Sequence, residues 1–337
     1  FFFLGGGGGV ELPPPVKMKF AALGLVAAAS AANVSPEVMS AFQLFQQKYG
    51  KTYSDAEFPK RASVFAENLE KVQARNLEHM LVGGDAVFGV TQFMDLTEAE
   101  FKATYLSGYI APTGNSTRVV PKMVGAPATT VDWRTKGVIT PVKNQGQCGS
   151  CWAFSTTAAI ESYGALSGKY KLEVLSPQQI NSCDKVDQGC NGGNTETAYG
   201  YVKKAGGIET NANYPYTSGS GITGTCKFNS ADIAESITGY TSIAKGESNL
   251  KTAVNSGPAS VCLAASAFQT YSSGILKVCP GQIDHCVQVV GYDDSNSPPY
   301  WTVRNSWATS WGEQGYIRVE SGKDLCHIAD DATFPTF

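Results

Sequence analysis

Histidine is scarce in this 337-residue chain. There are three, His79, His285 and His327, so any chemistry that needs an imidazole base must use one of them. Cysteine is absent before Cys148, and all nine cysteines follow from there. A cysteine-free first part and a cysteine-rich second part imply two separately built pieces. Charged residues make up 16% of the chain, the net charge is −3, and no basic run occurs, which removes the reason to expect a nucleic-acid partner. The apolar run near the N-terminus is too short to span a bilayer, and no other segment is apolar enough to do so. The hydrophobic content of 42% is that of an ordinary globular protein, and the length suits two or three compact units.

What is present centres on Gln145-Gly146-Gln147-Cys148-Gly149-Ser150-Cys151-Trp152-Ala153-Phe154. Two cysteines three apart lie on a glycine-rich turn, and a helical run opens at the second, with Trp152, Phe154, Ala158, Ile160, Tyr163 and Leu166 apolar before Gly168. A thiol at a helix N-terminus meets the positive end of the backbone dipole, which favours thiolate. Cys148-x-x-Cys151 also has the spacing of a redox pair or half a zinc site. The first should follow a strand in a small βαβ unit and the second needs another ligand pair at regular spacing, and the sequence has neither. A base for Cys151 is available in His285, 134 residues downstream on the strand-like stretch Ile283–Tyr292, and Asn305 ends another strand-like run.

The turn sequence, with a histidine and an asparagine far downstream, resembles the papain-like cysteine proteases, and specifically their cathepsin L-like branch, from about Val38 to the C-terminus. The resemblance implies an α+β, papain-like two-domain fold: a helical left domain carrying Cys151, a β-barrel-like right domain carrying His285 and Asn305, and an N-terminal helical inhibitory prodomain. It implies a peptide hydrolase in which Cys151 and His285 form a thiolate–imidazolium pair. Asn305 would orient the imidazole, Trp307 would shield that bond, and the Gln145 amide with the Cys151 N–H would hold the oxyanion. No cofactor and no metal are expected. The partners expected are protein and peptide substrates, the chain's own prodomain as an intramolecular inhibitor and cystatin-type inhibitors; the mature form is expected to be a monomer that does not bind membrane.

Four stretches are expected along the chain. Residues 1–17, with five consecutive glycines and Pro13-Pro14-Pro15, read as an upstream extension rather than fold. Residues 18–32 read as a signal peptide: Met18-Lys19, a short apolar core, then small residues. That routes the protein through the secretory pathway to a lysosome, a vacuole or the outside. Residues 33–126 form the prodomain. Ser35-Pro36-Glu37 is a helix start, Phe42, Phe45 and Tyr49 form a stripe closed by Gly50, and Phe58, Ala62, Phe65, Leu69 and Val72 line a second helix. On that helix Glu57, Arg61, Phe65, Asn68, Val72 and Asn76 resemble the prosegment signature of cathepsin L-like zymogens. Taken alone, Glu57 and Arg61 are an i,i+4 acid–base pair on an amphipathic helix. Gly89-x-Thr91-x-Phe93-x-Asp95 resembles the second prosegment motif, and Thr97 to Glu100 reads as a capping box. The Gly/Pro/Ser/Thr-rich stretch Tyr109 to Ala128, with the sequon Asn115-Ser116-Thr117, reads as a cleavable linker cut near Ala126. Residues 127–337 form the peptidase, helical and loop-rich to about Tyr240 and strand-rich afterwards.

The resemblance also pairs Cys148 with Cys190, Cys183 with Cys226, and Cys279 with Cys326. Cys262 and Cys286 remain, either as two buried thiols or as a fourth disulfide that would leave Cys151 alone unpaired. Both fall at the pocket for the side chain two residues before the scissile bond, with Asn194, Thr195 and Ile283, and Asp284 is a further expected substrate-binding residue. Asp331 stands at its floor, so arginine should be accepted there beside leucine or phenylalanine. Gly192 and Gly193 would bond the extended substrate backbone. Ala308 and Ser310 replace glycines usual in the family. His79 and His327 are expected to have no part in catalysis. A catalytically idle binding or storage protein and a transpeptidase are the competing readings.

Overall fold

The computed structural model describes residues 34–113, 117–122 and 128–337. The upstream extension, the signal segment, Asn115 and Ser116 of the sequon and the cleavage point lie outside these residues. Helix α1 (Pro36–Tyr49) starts where the Ser35 hydroxyl accepts the Val38 amide and stops at Gly50, whose φ of 61° suits a residue without a side chain. Helix α2 (Phe58–Leu81) buries Ala62, Phe65 and Val72. The Phe65 ring meets Phe42 and Phe45 of α1 at 5.4 and 5.2 Å. Strand β1 (Val87–Phe88) and helix α3 (Glu98–Tyr105) follow, and Thr97 and Glu100 cap α3 reciprocally.

The polar residues of the α2 signature bond to the segments it packs against. Asn68 donates to the carbonyls of Met94 and Leu96, and Asn76 exchanges both bonds with the Phe88 backbone. The i,i+4 reading of Glu57 and Arg61 is corrected by this packing. Arg61 pairs with Glu100 at 2.8 Å, while Glu57 accepts the Ser54 hydroxyl. Asp95 is buried and takes Lys51 at 3.0 Å and the Tyr53 hydroxyl at 2.8 Å.

Strand β2 (Arg118–Val119) precedes the peptidase region, which opens with β3 (Thr130–Asp132). The helical half then contains α4 (Cys151–Leu166), α5 (Pro177–Cys183) and α6 (Thr195–Ala205). Thirteen of the sixteen α4 residues are buried, so the helix is enclosed on all sides and its apolar residues follow no single stripe. Strands β4 (Ile208–Glu209) and β5 (Ile233–Glu235) form a small pair within the stretch expected to be helical and loop-rich. They are too short to show alternation in sequence.

The strand half contains β6 (Gly239–Ile243), α7 (Glu247–Val254), β7 (Ala259–Leu263), β8 (Tyr271–Ser273), β9 (Ile275–Leu276), β10 (His285–Asp293), β11 (Tyr300–Arg304), β12 (Tyr316–Glu320) and β13 (Asp331–Thr336). Its main sheet runs β2-β6-β13-β7-β10-β11-β12-β9, with β3 also on β10. The prodomain strands pair with the strand half: β2 lies parallel on β6 in this sheet, and β1 lies antiparallel on β8 in a separate two-stranded pair. Among the described residues no helix is long and apolar enough to cross a membrane.

Candidate active site

Cys151 is the first residue of α4, and the Cys286 amide of β10 points at its sulfur at 3.3 Å. The helical and strand halves thus meet at the nucleophile. His285, next along β10, is fully buried. Its Nε2 lies 2.8 Å from Asn305 Oδ1, at the end of β11, and that oxygen also accepts the Ser306 amide. A backbone N–H can only donate, so the asparagine presents its oxygen and Nε2 carries the imidazole proton. Nδ1 has no hydrogen-bond partner among the described residues and is the ring's basic nitrogen. Trp307 stacks on the His285 ring, with centroids 4.8 Å apart, and is itself fully buried.

The Gln145 side chain is fully buried and oriented by Ser306. The Ser306 hydroxyl donates to Oε1 at 2.7 Å, leaving Nε2 toward the nucleophile turn, where it donates to the Cys148 carbonyl at 2.9 Å. Disulfides join Cys148 to Cys190, Cys183 to Cys226, Cys279 to Cys326 and Cys262 to Cys286, and Cys151 is the free cysteine. Cys262 and Cys286 are direct partners in the β7–β10 ladder, and Asp331 faces Cys262 from β13. One row across three strands therefore carries the two half-cystines and the acid.

The prodomain covers this site. Gly108 lies against the nucleophile, where a Cβ would collide with Cys151 Sγ and the Gly149 carbonyl. Tyr109 bridges Gly193 in parallel, the Ile110 amide donates to the Gly193 carbonyl at 2.9 Å, and Asn194 Nδ2 donates to the Ile110 carbonyl at 3.1 Å. Gly192 lies so close to Ser107 that a Cβ would sit 2.7 Å from its carbonyl oxygen. The Tyr109 hydroxyl donates to Asp331 Oδ2 at 2.9 Å, and Arg118 lies 3.7 Å from Oδ1. Tyr109 and Ile283 both pack against the core cluster that contains Cys262 and Cys286. Thr195 bonds Thr333, and Asp284 accepts the Ala265 amide. Phe93, Phe101 and Tyr105 of the prodomain set their rings 5.1, 5.5 and 6.1 Å from Trp307.

Enclosure decides the electrostatics. Burial pushes the Cys151 thiol up to about 12 against the pull of nearby backbone amides, and burial lowers His285 to about 4 against the Asn305 bond. Enclosure under the prodomain therefore favours the neutral thiol and the neutral imidazole over the ion pair.

Two features were beyond the sequence reading. His79 is buried: its Nδ1 is 3.1 Å from the Arg75 carbonyl, and its Nε2 faces the amides of Lys277 and Val278 at 3.4 and 3.3 Å. It joins α2 to the peptidase, which no local pattern could signal. Ser310 donates to Gln92 of the prodomain at 2.9 Å. His327 is half exposed beside Asp330, at 3.3 Å. Asp324, His327 and Asp330 bring ligand atoms within 4.8 Å of one another, but Lys245 also pairs with Asp330, so the charge there is met by the chain itself.

Residues 127–336 match the family model described as papain family cysteine protease, and residues 42–101 match the cathepsin propeptide inhibitor domain. The chain belongs to the papain family of cysteine proteases. It is a cysteine endopeptidase zymogen whose own propeptide is its intramolecular inhibitor. The protease is 42% identical over 337 residues to digestive cysteine proteinase 1 of Homarus americanus, covering 95% of this chain and 100% of that one. It is 40% identical to a cysteine proteinase of Trypanosoma brucei brucei, over 94% of this chain and 71% of the other. Among solved structures, a recombinant stem bromelain precursor superposes with a TM-score of 0.80 at 34% identity, over 89% of this protease and 99% of that chain. Digestive procathepsin L 3 of Tenebrio molitor larval midgut gives 0.80 at 31% identity, over 90% and 100%.

Proposed function

We propose that the protease cuts peptide bonds with Cys151 as nucleophile, His285 as base and then acid, Asn305 as the group that orients the imidazole, and Gln145 as a donor to the oxyanion. The observation that carries this is the bond from His285 Nε2 to an Asn305 oxygen already committed to the Ser306 amide. It leaves Nδ1 as the basic nitrogen in a cleft whose other wall is the α4 N-terminus. When the prodomain leaves, water enters and the burial that holds the pair neutral is relieved. The proton then moves from Cys151 to His285, favoured by the helix dipole and the Cys286 amide. Attack on the substrate carbonyl forms the tetrahedral adduct, with its oxyanion on the Gln145 amide and the Cys151 N–H. His285 protonates the leaving amine, and water, deprotonated by the same nitrogen, releases the acyl group. Removing the Gln145 donor costs roughly 3–4 kcal/mol of transition-state stabilisation.

Asp331 forms the floor of the pocket for the second residue before the cut, and that pocket accepts arginine as well as leucine or phenylalanine. What supports this is the placement of Tyr109 on Asp331 beside the Cys262–Cys286 disulfide, in a segment that pairs with Gly193 as the substrate would, but in the opposite direction. The four disulfides support passage through an oxidising, secretory compartment. Residues 33–126 act as the prodomain and 127–337 as the mature, monomeric enzyme, which is open to cystatin-type inhibitors once the cleft is clear. Labelling of the processed enzyme with an epoxide inhibitor, followed by assay of one peptide for hydrolysis and ligation, tests the reading. Cys151 should take the label and hydrolysis should dominate. A label elsewhere, or Cys151→Ala retaining turnover, would refute it.

A further inference from the structure

A cavity of about 880 Å³ opens on the helical half beyond the covered cleft. Its walls include Val186, Tyr201, Phe228, Tyr240 and the Cys183–Cys226 disulfide. Val186 is 75% exposed there, an isolated aliphatic side chain facing open space. Two exposed lysines, Lys185 and Lys204, and two buried acids, Asp184 and Glu196, supply the charged part of the lining. The volume falls in the range of sites that hold ligands of substantial size.

The prodomain leads directly to this cavity. From the Tyr109–Gly193 bridge the chain is held by both backbone groups of Ile110, and Pro112 and Thr113 then form part of the cavity wall. An extended chain advances about 3.3 Å per residue, so three residues span the roughly 10 Å from Tyr109 to Pro112. A substrate that follows this path in the opposite direction meets the same pockets in reverse order, so each prodomain residue still marks one pocket at its distance from the cut. With Tyr109 in the pocket for the second residue before the cut, Ile110 and Ala111 stand for the third and fourth. Pro112 and Thr113 stand for the fifth and sixth.

We propose that this cavity is a distal subsite of the mature protease, which takes an apolar or aromatic side chain of a polypeptide substrate about five or six residues upstream of the bond cut. The proposal rests on the reading that Tyr109 marks the second-residue pocket. Occupancy is a property of the open enzyme, because Pro112 and Thr113 leave with the prodomain. Their place becomes available to the substrate, whose side chain buries against Val186, Phe228 and Tyr201. This makes the protease selective for an apolar residue well away from the cleavage site, and a short peptide cannot report that selectivity.

The test uses mature, active-site-titrated enzyme and three reporter peptides. One ends three residues upstream of the cut, and two extend to six residues with either Phe or Gly at the fifth and sixth. The Phe peptide should exceed the Gly peptide in kcat/KM on the order of tenfold, through KM, the size expected from burying part of one aromatic ring. Val186→Asp should abolish the difference while leaving the short peptide unchanged; because Val186 is exposed, that substitution leaves the fold intact. Phe228→Ala, if it folds, should reduce the difference part-way. Equal turnover of the Phe and Gly peptides, or an advantage that survives Val186→Asp, overturns the distal subsite. Failure of the wild-type enzyme to cut the short peptide would instead overturn the underlying protease reading.

Discussion

Protonation of His79 should release the C-terminal end of α2 from the peptidase. In the docked state Nδ1–H donates to the Arg75 carbonyl, and Nε2 accepts from the amides of Lys277 and Val278 while the ring packs 4.7 Å from Phe88. A proton on Nε2 would point an N–H at two other N–H groups. Burial lowers the pKa of His79, and the charges of Arg75 and Lys277 act in the same direction, while the bond to the Arg75 carbonyl and the charge of Glu78 oppose them. Because the docked value lies below the ordinary 6.5, docking is fully favoured above 6.5 and is progressively lost as pH falls below it. The loss of docking stops once the docked ring itself titrates. The assay uses full-length Cys151→Ala proenzyme, which cannot process itself, cleaved by trace mature protease at a series of pH values. His79→Gln supplies an amide oxygen that accepts at every pH, so the ratio of wild-type to variant cleavage should climb as pH drops from 7 to 4.5. The ratio cancels the pH dependence of the added protease and of other titrating groups such as Asp331. A flat ratio would refute the reasoning.

Glu235 is buried with neither carboxylate oxygen hydrogen-bonded among the described residues, and burial raises it from 4.5 to about 8, with Glu161 and Glu173 adding to the shift. Its contribution to stability is complete below pH 4.5 and lost as pH rises through about 8. Glu235→Gln should therefore raise stability at pH 8 by roughly 2–4 kcal/mol and change little at pH 4, as read by denaturant unfolding. Ala308 holds a φ of 63°, so Ala308→Gly should stabilise by about 1 kcal/mol, seen as a higher melting temperature with unchanged turnover of a short peptide. Asp331→Ala should remove acceptance of arginine at the second position while keeping that of leucine, as a peptide library on mature enzyme would show. Arginine acceptance left intact would show that the pocket floor does not select charge.

The legible elements were those specified by neighbours in sequence. Ser35, Gly50, Thr97 and Glu100 set the ends of α1 and α3 because a cap acts over three or four residues. The 3.6-residue period of α2 shows which residues are buried, and the glycine-rich turn before Cys151 shows where α4 begins. β4 and β5 escaped detection because two or three residues cannot display a period.

By itself the sequence determined the kinds of groups and their local frames: a thiol at a helix start, an imidazole and an amide on strands, and a prodomain with its helices. Tertiary structure alone decided which groups meet. Arg61 pairs with Glu100 rather than Glu57, His79 reaches Lys277 and Val278, and Tyr109 reaches Asp331. Cys262 and Cys286 pair because antiparallel register sets them opposite each other. The titration state of Cys151 and His285 belongs to this second class as well. It depends on what excludes water from the cleft, and in the zymogen that is a segment more than forty residues away from Cys151, anchored at Gly108 and Tyr109. Backbone propensities and caps act over a few residues, whereas desolvation and register depend on the whole packed chain.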